Sequence, residues 1–154
     1  MKVVLFVYLL ALAFWLGEIA AFSFVVAPAL FAALGPATAG EAVAVIFPRY
    51  YALGVGTAGI ALASSLVLAR VAATPRWWTA GAMSVGIGLA ATVWAAAIVH
   101  PRAERLRVAL HAAGRVPAES ADFRHAHRLA VALNGVALVG AIAGLGFSAA
   151  TMRP

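Results

Sequence analysis

The sequence predicts an all-α integral membrane protein: a four-helix bundle with a short amphipathic segment between helices 1 and 2 and a surface helix between helices 3 and 4. Hydrophobic residues fill 65% of 154 positions and charged residues only 10%, too little charge to cover a soluble domain of this size. The apolar residues come in long unbroken runs, and mean hydropathy is +1.01, so lipid is the expected solvent. The one substantial polar stretch, 101–128, lies between two such runs. There is room for a single membrane domain, 1–154.

The first helix is expected over about 3–34, longer than the roughly 20 residues a bilayer needs, so tilt or a bend is predicted. Lys2 and the apolar residues after it resemble the start of a signal peptide, but the apolar stretch continues through Phe31, and an uncleaved helix is the better reading. Pro28 removes a backbone donor and predicts a bend. GPATAG, from Gly35 to Gly40, reads as a break, and EAVAVIFPRYY as a short amphipathic piece that Pro48 interrupts. The second helix follows over about 52–70. Thr74-Pro75-Arg76 reads as a tight connection, and Trp77-Trp78 as an interfacial anchor. The third helix, about 77–100, is expected to stop at Pro101. In RAERLRVALHAAG, Leu106 and Leu110 share one side and Arg102, Glu104 and Arg105 largely another, which suits a helix lying on the membrane. Gly114 and Pro117 end it. Ser120 is placed to cap the last helix, about 121–150.

Small residues at four-residue spacing predict close helix packing, which in lipid depends on backbone approach. They are Ala13/Gly17/Ala21, Gly59/Ala63, Ala82/Gly86/Ala90 and Gly140/Gly144/Ser148.

Lys and Arg number 11 against 5 Asp and Glu. Most of the basic residues flank apolar segments, where they anchor helices, and no basic cluster is interleaved with aromatics as nucleic-acid sites require. Four spans put both termini and the Arg70–Arg76 link on one side, with Lys2, Arg70, Arg76 and Arg153. Arg49, Arg102, Arg105, Arg107, Arg115, Arg124 and Arg128 fall on the other. The positive-inside rule then places 35–51 and 101–128 in the cytoplasm and both termini outside, although Lys2 argues the other way. The absence of cysteine excludes disulfides, iron–sulfur clusters and thiolate zinc sites. Soluble-enzyme signatures (a P-loop, GxSxG, a Gly-rich dinucleotide turn) are missing, so a non-enzymatic protein is expected.

Glu18 is an ionisable residue inside an apolar helix. It reads as a proton- or cation-binding carboxylate, as a neutral side chain hydrogen-bonded to a neighbouring Ser or to backbone, or as a contact to another subunit. His100, His111, His125 and His127 gather at one end. His100 and His127 approach the same membrane face, where imidazoles can hold a metal ion or haem iron, although single histidines at helix ends also serve as carbonyl donors. His127 and Asn134 are two helical turns apart on one face, with Asn134 about 10 Å deeper. Thr57 and Thr92 are expected at that depth, giving a polar pocket with Arg49, Tyr50 and Tyr51 at its mouth. Inter-helix hydrogen bonding alone is the other reading.

WLGEIAAFSFVVAPALFAAL, AVIFPRYY and FRHAHRLAVALNG, in this order, resemble transmembrane protein 205 and its bacterial relatives, domain-of-unknown-function family 4149. The resemblance spans nearly the whole chain. Phe47, Pro48, Tyr50, Tyr51, His127, Asn134 and the Pro101-Arg102 pair carry its most specific parts. Glu18 stands where the bacterial members usually have a small residue. The resemblance implies a four-helix protein of the bacterial inner membrane without an established activity; the vertebrate member's link to platinum-drug resistance points toward metal handling. Three functions are therefore expected to compete. The first is binding of a metal ion, haem or a small polar ligand by Glu18, Arg49, Tyr50, Tyr51, Asn134, His100 and His127. The second is an accessory subunit of a larger respiratory or photosynthetic membrane complex. The third is a homo-oligomeric transporter or channel.

Overall fold

The computed structural model describes residues 1–151, so Arg153, one of the charges counted for orientation, lies outside the described residues. Those residues are almost entirely helical, without a strand: α1 (Lys2–Ala21), α2 (Ala27–Val71), α3 (Pro75–Trp94), α4 (His100–Ala112) and α5 (Ala121–Ala150). Two π-helical turns join α1 to α2 (Phe22–Val26) and α3 to α4 (Ala95–Val99). Three continuous runs result, Lys2–Val71, Pro75–Ala112 and Ala121–Ala150, each long and apolar enough to cross a membrane. The outer surface is apolar as well, with Phe6 63%, Phe24 69% and Val139 65% exposed. Water would not tolerate such a surface, whereas hydrocarbon does. The chain is an integral membrane protein in contact with lipid.

The first run is folded in two at Gly35, whose φ of 72° and ψ of 166° are open only to glycine. Pro36 then starts the helix again, its missing N–H harmless at that position. The expected break is thus one residue wide. The predicted amphipathic piece is no separate segment: helix runs from 36 to 71 straight through Pro48. A proline frees one carbonyl and crowds it, and here the surrounding ladder holds. Folding back brings Glu18 to Gly54, where a Cβ on Gly54 would lie 3.5 Å from Glu18 Oε2.

Pro101 does not stop the third helix either, and no detached surface helix follows it. The helix widens into the Ala95–Val99 π turn, where His100 N–H reaches Ala95 O, and continues as α4. The Phe22–Val26 turn stands in the same relation to Pro28, two residues ahead of it, with Ala27 N–H on Phe22 O. A proline cannot donate to the carbonyl one turn back, and an inserted residue relieves that crowding. α4 ends in a Schellman motif: Arg115 N–H donates to Leu110 O (2.9 Å) and Gly114 N–H to His111 O (3.0 Å), with Gly114 at φ 65°. Ser120 Oγ accepts from Phe123 N–H at 3.4 Å and opens α5, the cap read from the sequence.

One face of α1 (Tyr8, Leu12, Trp15 and Ile19, at three- and four-residue spacing) forms the buried centre with Leu68, Val85 and Ala141. Tyr8 Oη donates to Gly144 O at 2.9 Å and its ring meets Trp78 edge-on at 5.4 Å. α3 and α5 approach most closely through Gly88, Gly140 and Gly144. A Cβ on Gly140 would lie 2.7 Å from Ser84 O, and one on Gly144 2.8 Å from Val85 Cγ2. The Gly140/Gly144/Ser148 stripe therefore packs as expected. The stripes on α1 and α2 do not: Ala13, Gly17, Ala21 and Ala63 are exposed, and a Cβ on Gly17 or Gly59 would meet nothing. On α3 the packed set is Gly81, Ala82, Val85 and Gly88, while Ala90 faces outward. Spacing alone marks close-packing stripes without saying which of them finds a neighbour.

Candidate functional site

The two π turns lie at the same end of the bundle and shape what is gathered there. The first presents Phe22 and Ser23. Ser23 Oγ accepts from Asn134 Nδ2 at 3.0 Å, and Asn134 Oδ1 accepts from Tyr50 Oη at 2.5 Å. One hydrogen-bonded chain thus ties the first π turn, α5 and α2, and satisfies the amide in apolar surroundings. The second π turn delivers His100, half-buried, against Phe47 at 5.5 Å and Tyr51 at 5.7 Å between ring centroids. Phe47 and Tyr51 stack at 5.5 Å, and Phe22 meets Tyr50 at 5.1 Å. The Phe47–Tyr51 segment is helical, so Phe47 faces Tyr50 and Tyr51 from one turn away. The result is an aromatic cluster with one imidazole at its edge and a polar chain through it.

Glu18 lies one turn below Phe22. Its neighbourhood includes Trp15, Gly54 and Thr92, each of the last two buried. Both carboxylate oxygens are sealed from solvent and neither has a hydrogen-bond partner; among the described residues they are the only buried side-chain polar atoms so left. The hydrogen bond from Glu18 to a neighbouring serine or to backbone is not made, and Thr92 spends its hydroxyl within its own helix, donating to Gly88 O at 2.9 Å. Thr57 likewise bonds within its own helix, to Leu53 O at 2.8 Å, so neither threonine contributes a free group to a pocket.

Of the residues singled out from the sequence, Tyr50, Tyr51, Asn134 and His100 come together, with Glu18 beside them. Arg49 is exposed, its Nη1 3.5 Å from Val45 O. His127 shares a flank of α5 with Asn134 but is exposed, as are His111 and His125. Among the described residues no group of three or more His, Cys, Asp or Glu side chains is placed to hold a metal ion. Sequence reasoning missed Ser23, Phe22 and Trp15. Ser23 had a usable signal: a hydroxyl inside FSFVV, between an intramembrane carboxylate and a proline, needs a partner in lipid.

In chemical terms the site offers one uncompensated carboxyl, a satisfied Ser–Asn–Tyr chain and a wall of aromatic faces. Such a set attracts positive charge, through the carboxylate and through ring faces, and lacks the clustered ligands of a transition-metal centre.

No curated protein and no solved structure matches the chain. The likeness to transmembrane protein 205 therefore rests on the motif residues alone. A family model described as domain of unknown function (DUF4149) matches residues 10–112, a span holding Glu18, the Phe47–Tyr51 segment and His100 but not Asn134. The chain belongs to the DUF4149 family.

Proposed function

We propose that this protein is a four-span, non-enzymatic bundle of the bacterial inner membrane that binds a small cation at Glu18, beneath the aromatic cluster. In this reading the fold-back at Gly35 separates the first two spans, both termini lie outside, and the aromatic end faces the cytoplasm. The observation that carries the binding proposal is the pair of Glu18 oxygens, buried and unpartnered while every side-chain polar atom of the adjacent Ser23–Asn134–Tyr50 chain has a partner. A bare carboxylate sealed from water costs several kcal/mol, so the site holds either a proton or a cation. Binding is then an exchange: the cation enters, and the carboxyl proton leaves.

Calorimetry on detergent-purified protein in buffers of different ionisation enthalpy tests this, with Na⁺, Zn²⁺ and methylammonium as probes. The reading predicts saturable binding of at least one probe with proton release, both lost in Glu18→Gln. Binding that survives Glu18→Gln unchanged would sink it. A Soret band or bound metal that disappears in His100→Ala would move the site to the imidazole.

A second reading, an accessory subunit or a homo-oligomer, is favoured by the outward-facing Ala13–Gly17–Ala21 stripe, which no helix among the described residues covers. Co-purification with other membrane subunits at fixed stoichiometry, disrupted by Gly17→Leu, supports that reading.

A further inference from the structure

The opposite end of the bundle carries a groove that the Glu18 site does not use. It lies between the start of α3 and the last turns of α5. Trp77 and Phe147, stacked at 6.2 Å, form its wall; Ala143, Gly146 and Ala150 form its floor; Arg76 stands at its head with Cζ 5.0 Å from the Trp77 ring centroid. The cavity volume is about 580 Å³. Through Ala143 it opens into a second apolar groove of about 490 Å³ that reaches Ala132. From Ala150 to Ala132 is roughly 27 Å of helix at 1.5 Å per residue, close to the ~30 Å hydrocarbon thickness of a bilayer. An acyl chain occupies only half that depth.

Charge selects the occupant. Lys2, Arg70 and Arg76 sit at this end, as the Tyr8–Trp78 and Tyr8–Gly144 contacts fix it. The five acidic residues lie elsewhere: Glu18 within α1, Glu41 just after the fold-back, Glu104 in α4, and Glu119 and Asp122 around the start of α5. Among the described residues the one ion pair is Glu104–Arg107, and Arg76 pairs with none of the five acidic side chains. An arginine beside an interfacial tryptophan presents a planar donor fork at headgroup depth, and nearby basic residues add attraction for net negative lipid.

We propose that this groove binds an anionic phospholipid, its phosphate on Arg76 and one acyl chain along the α3–α5 groove. The site is independent of Glu18. Delipidated protein is titrated with phosphatidylglycerol, with phosphatidylcholine of the same chains, and with glycerol phosphate, following thermal stability. Phosphatidylglycerol is expected to raise the melting temperature most. Arg76→Gln should weaken its apparent affinity about tenfold, the loss of one charged hydrogen-bonding contact. Gly146→Leu fills the groove from a position with open space around it, so it should fold and bind the lipid poorly. Arg70→Gln, on the same end but outside the groove, should retain most of the effect. The proposal is overturned if the two lipids stabilise equally. It is equally overturned if Arg76→Gln or Gly146→Leu binds like wild type, if Arg70→Gln costs as much as Arg76→Gln, or if glycerol phosphate alone reproduces the shift.

Discussion

Replacing Gly140 by alanine adds one carbon where α3 and α5 are closest. The new Cβ would sit 2.7 Å from Ser84 O, 3.2 Å from Gly88 Cα and 3.4 Å from Gly88 N. All three neighbours are backbone, so no side chain can swing aside. Relief requires moving the two helices apart by several tenths of an ångström along a seam held by dispersion, without a hydrophobic drive to restore it. Overpacking of this kind costs about 1–3 kcal/mol, set against a helix-propensity gain of about 0.5–1 kcal/mol for Gly→Ala. Gly135, five residues earlier on the same helix, provides the control, because its Cβ would meet nothing within 4 Å. Gly135→Ala should therefore be neutral or slightly stabilising, while Gly140→Ala should be net destabilising by up to about 2 kcal/mol. Thermal melts of both variants in one detergent, followed by far-ultraviolet circular dichroism, decide it. A Gly140→Ala protein as stable as Gly135→Ala would refute the close α3–α5 seam.

Tyr50→Phe removes one donor from the polar chain and should cost about 0.6 kcal/mol, the average for inter-helix hydrogen bonds in lipid. Asn134→Leu strands two hydroxyls and should cost more, about 1–3 kcal/mol; the order of the two melting temperatures checks this. Gly35→Ala forces an alanine into a glycine-only conformation and should cost about 1–3 kcal/mol, again read as a melting shift. Arg107 holds the Glu104 carboxyl below its usual value of 4.5 through a 2.7 Å hydrogen bond. A depressed folded value means that the contribution is present above pH 4.5 and fades as pH falls through the folded value. The pair is partly exposed, so about 0.3–0.5 kcal/mol is at stake. Protection of the α4 amides, taken relative to their intrinsic exchange rate at each pH, should fall on acidification below that point in wild type, and Glu104→Gln should show the lower protection already at neutral pH.

The all-helical membrane character was legible because hydropathy measures the solvent a segment needs, and that solvent is lipid along most of this chain. The start of the last helix was legible too, since Ser120 announces itself by chemistry local to four residues. Pro48 and Pro101 read as stops by the rules of soluble helices, yet in lipid an unsatisfied backbone is so costly that the chain keeps its ladder and absorbs the defect. At Pro101 a π turn does this, and the same two-residue spacing at Pro28 makes the device recognisable afterwards. The aromatic end was half visible: Tyr50, Tyr51, His100 and Asn134 were candidates by type, but their meeting depends on the fold-back at Gly35. Arg49 was a candidate by proximity in sequence, and its helical phase leaves it outside; His127 keeps the helical phase of Asn134 but sits two turns nearer the start of α5, where it is exposed. Ser23 reaches Asn134 only because a π turn shifts its phase, which no 3.6-residue count reveals.

The claim at the centre of this account is that Glu18 carries an exchangeable proton that a cation displaces. Infrared difference spectroscopy of the purified protein, recorded as the binding cation is titrated in, observes that proton directly. Loss of a protonated-carboxyl band is expected in wild type, with a flat difference spectrum in that region for Glu18→Gln. A wild-type carboxyl band that stays unchanged at saturating cation would contradict it.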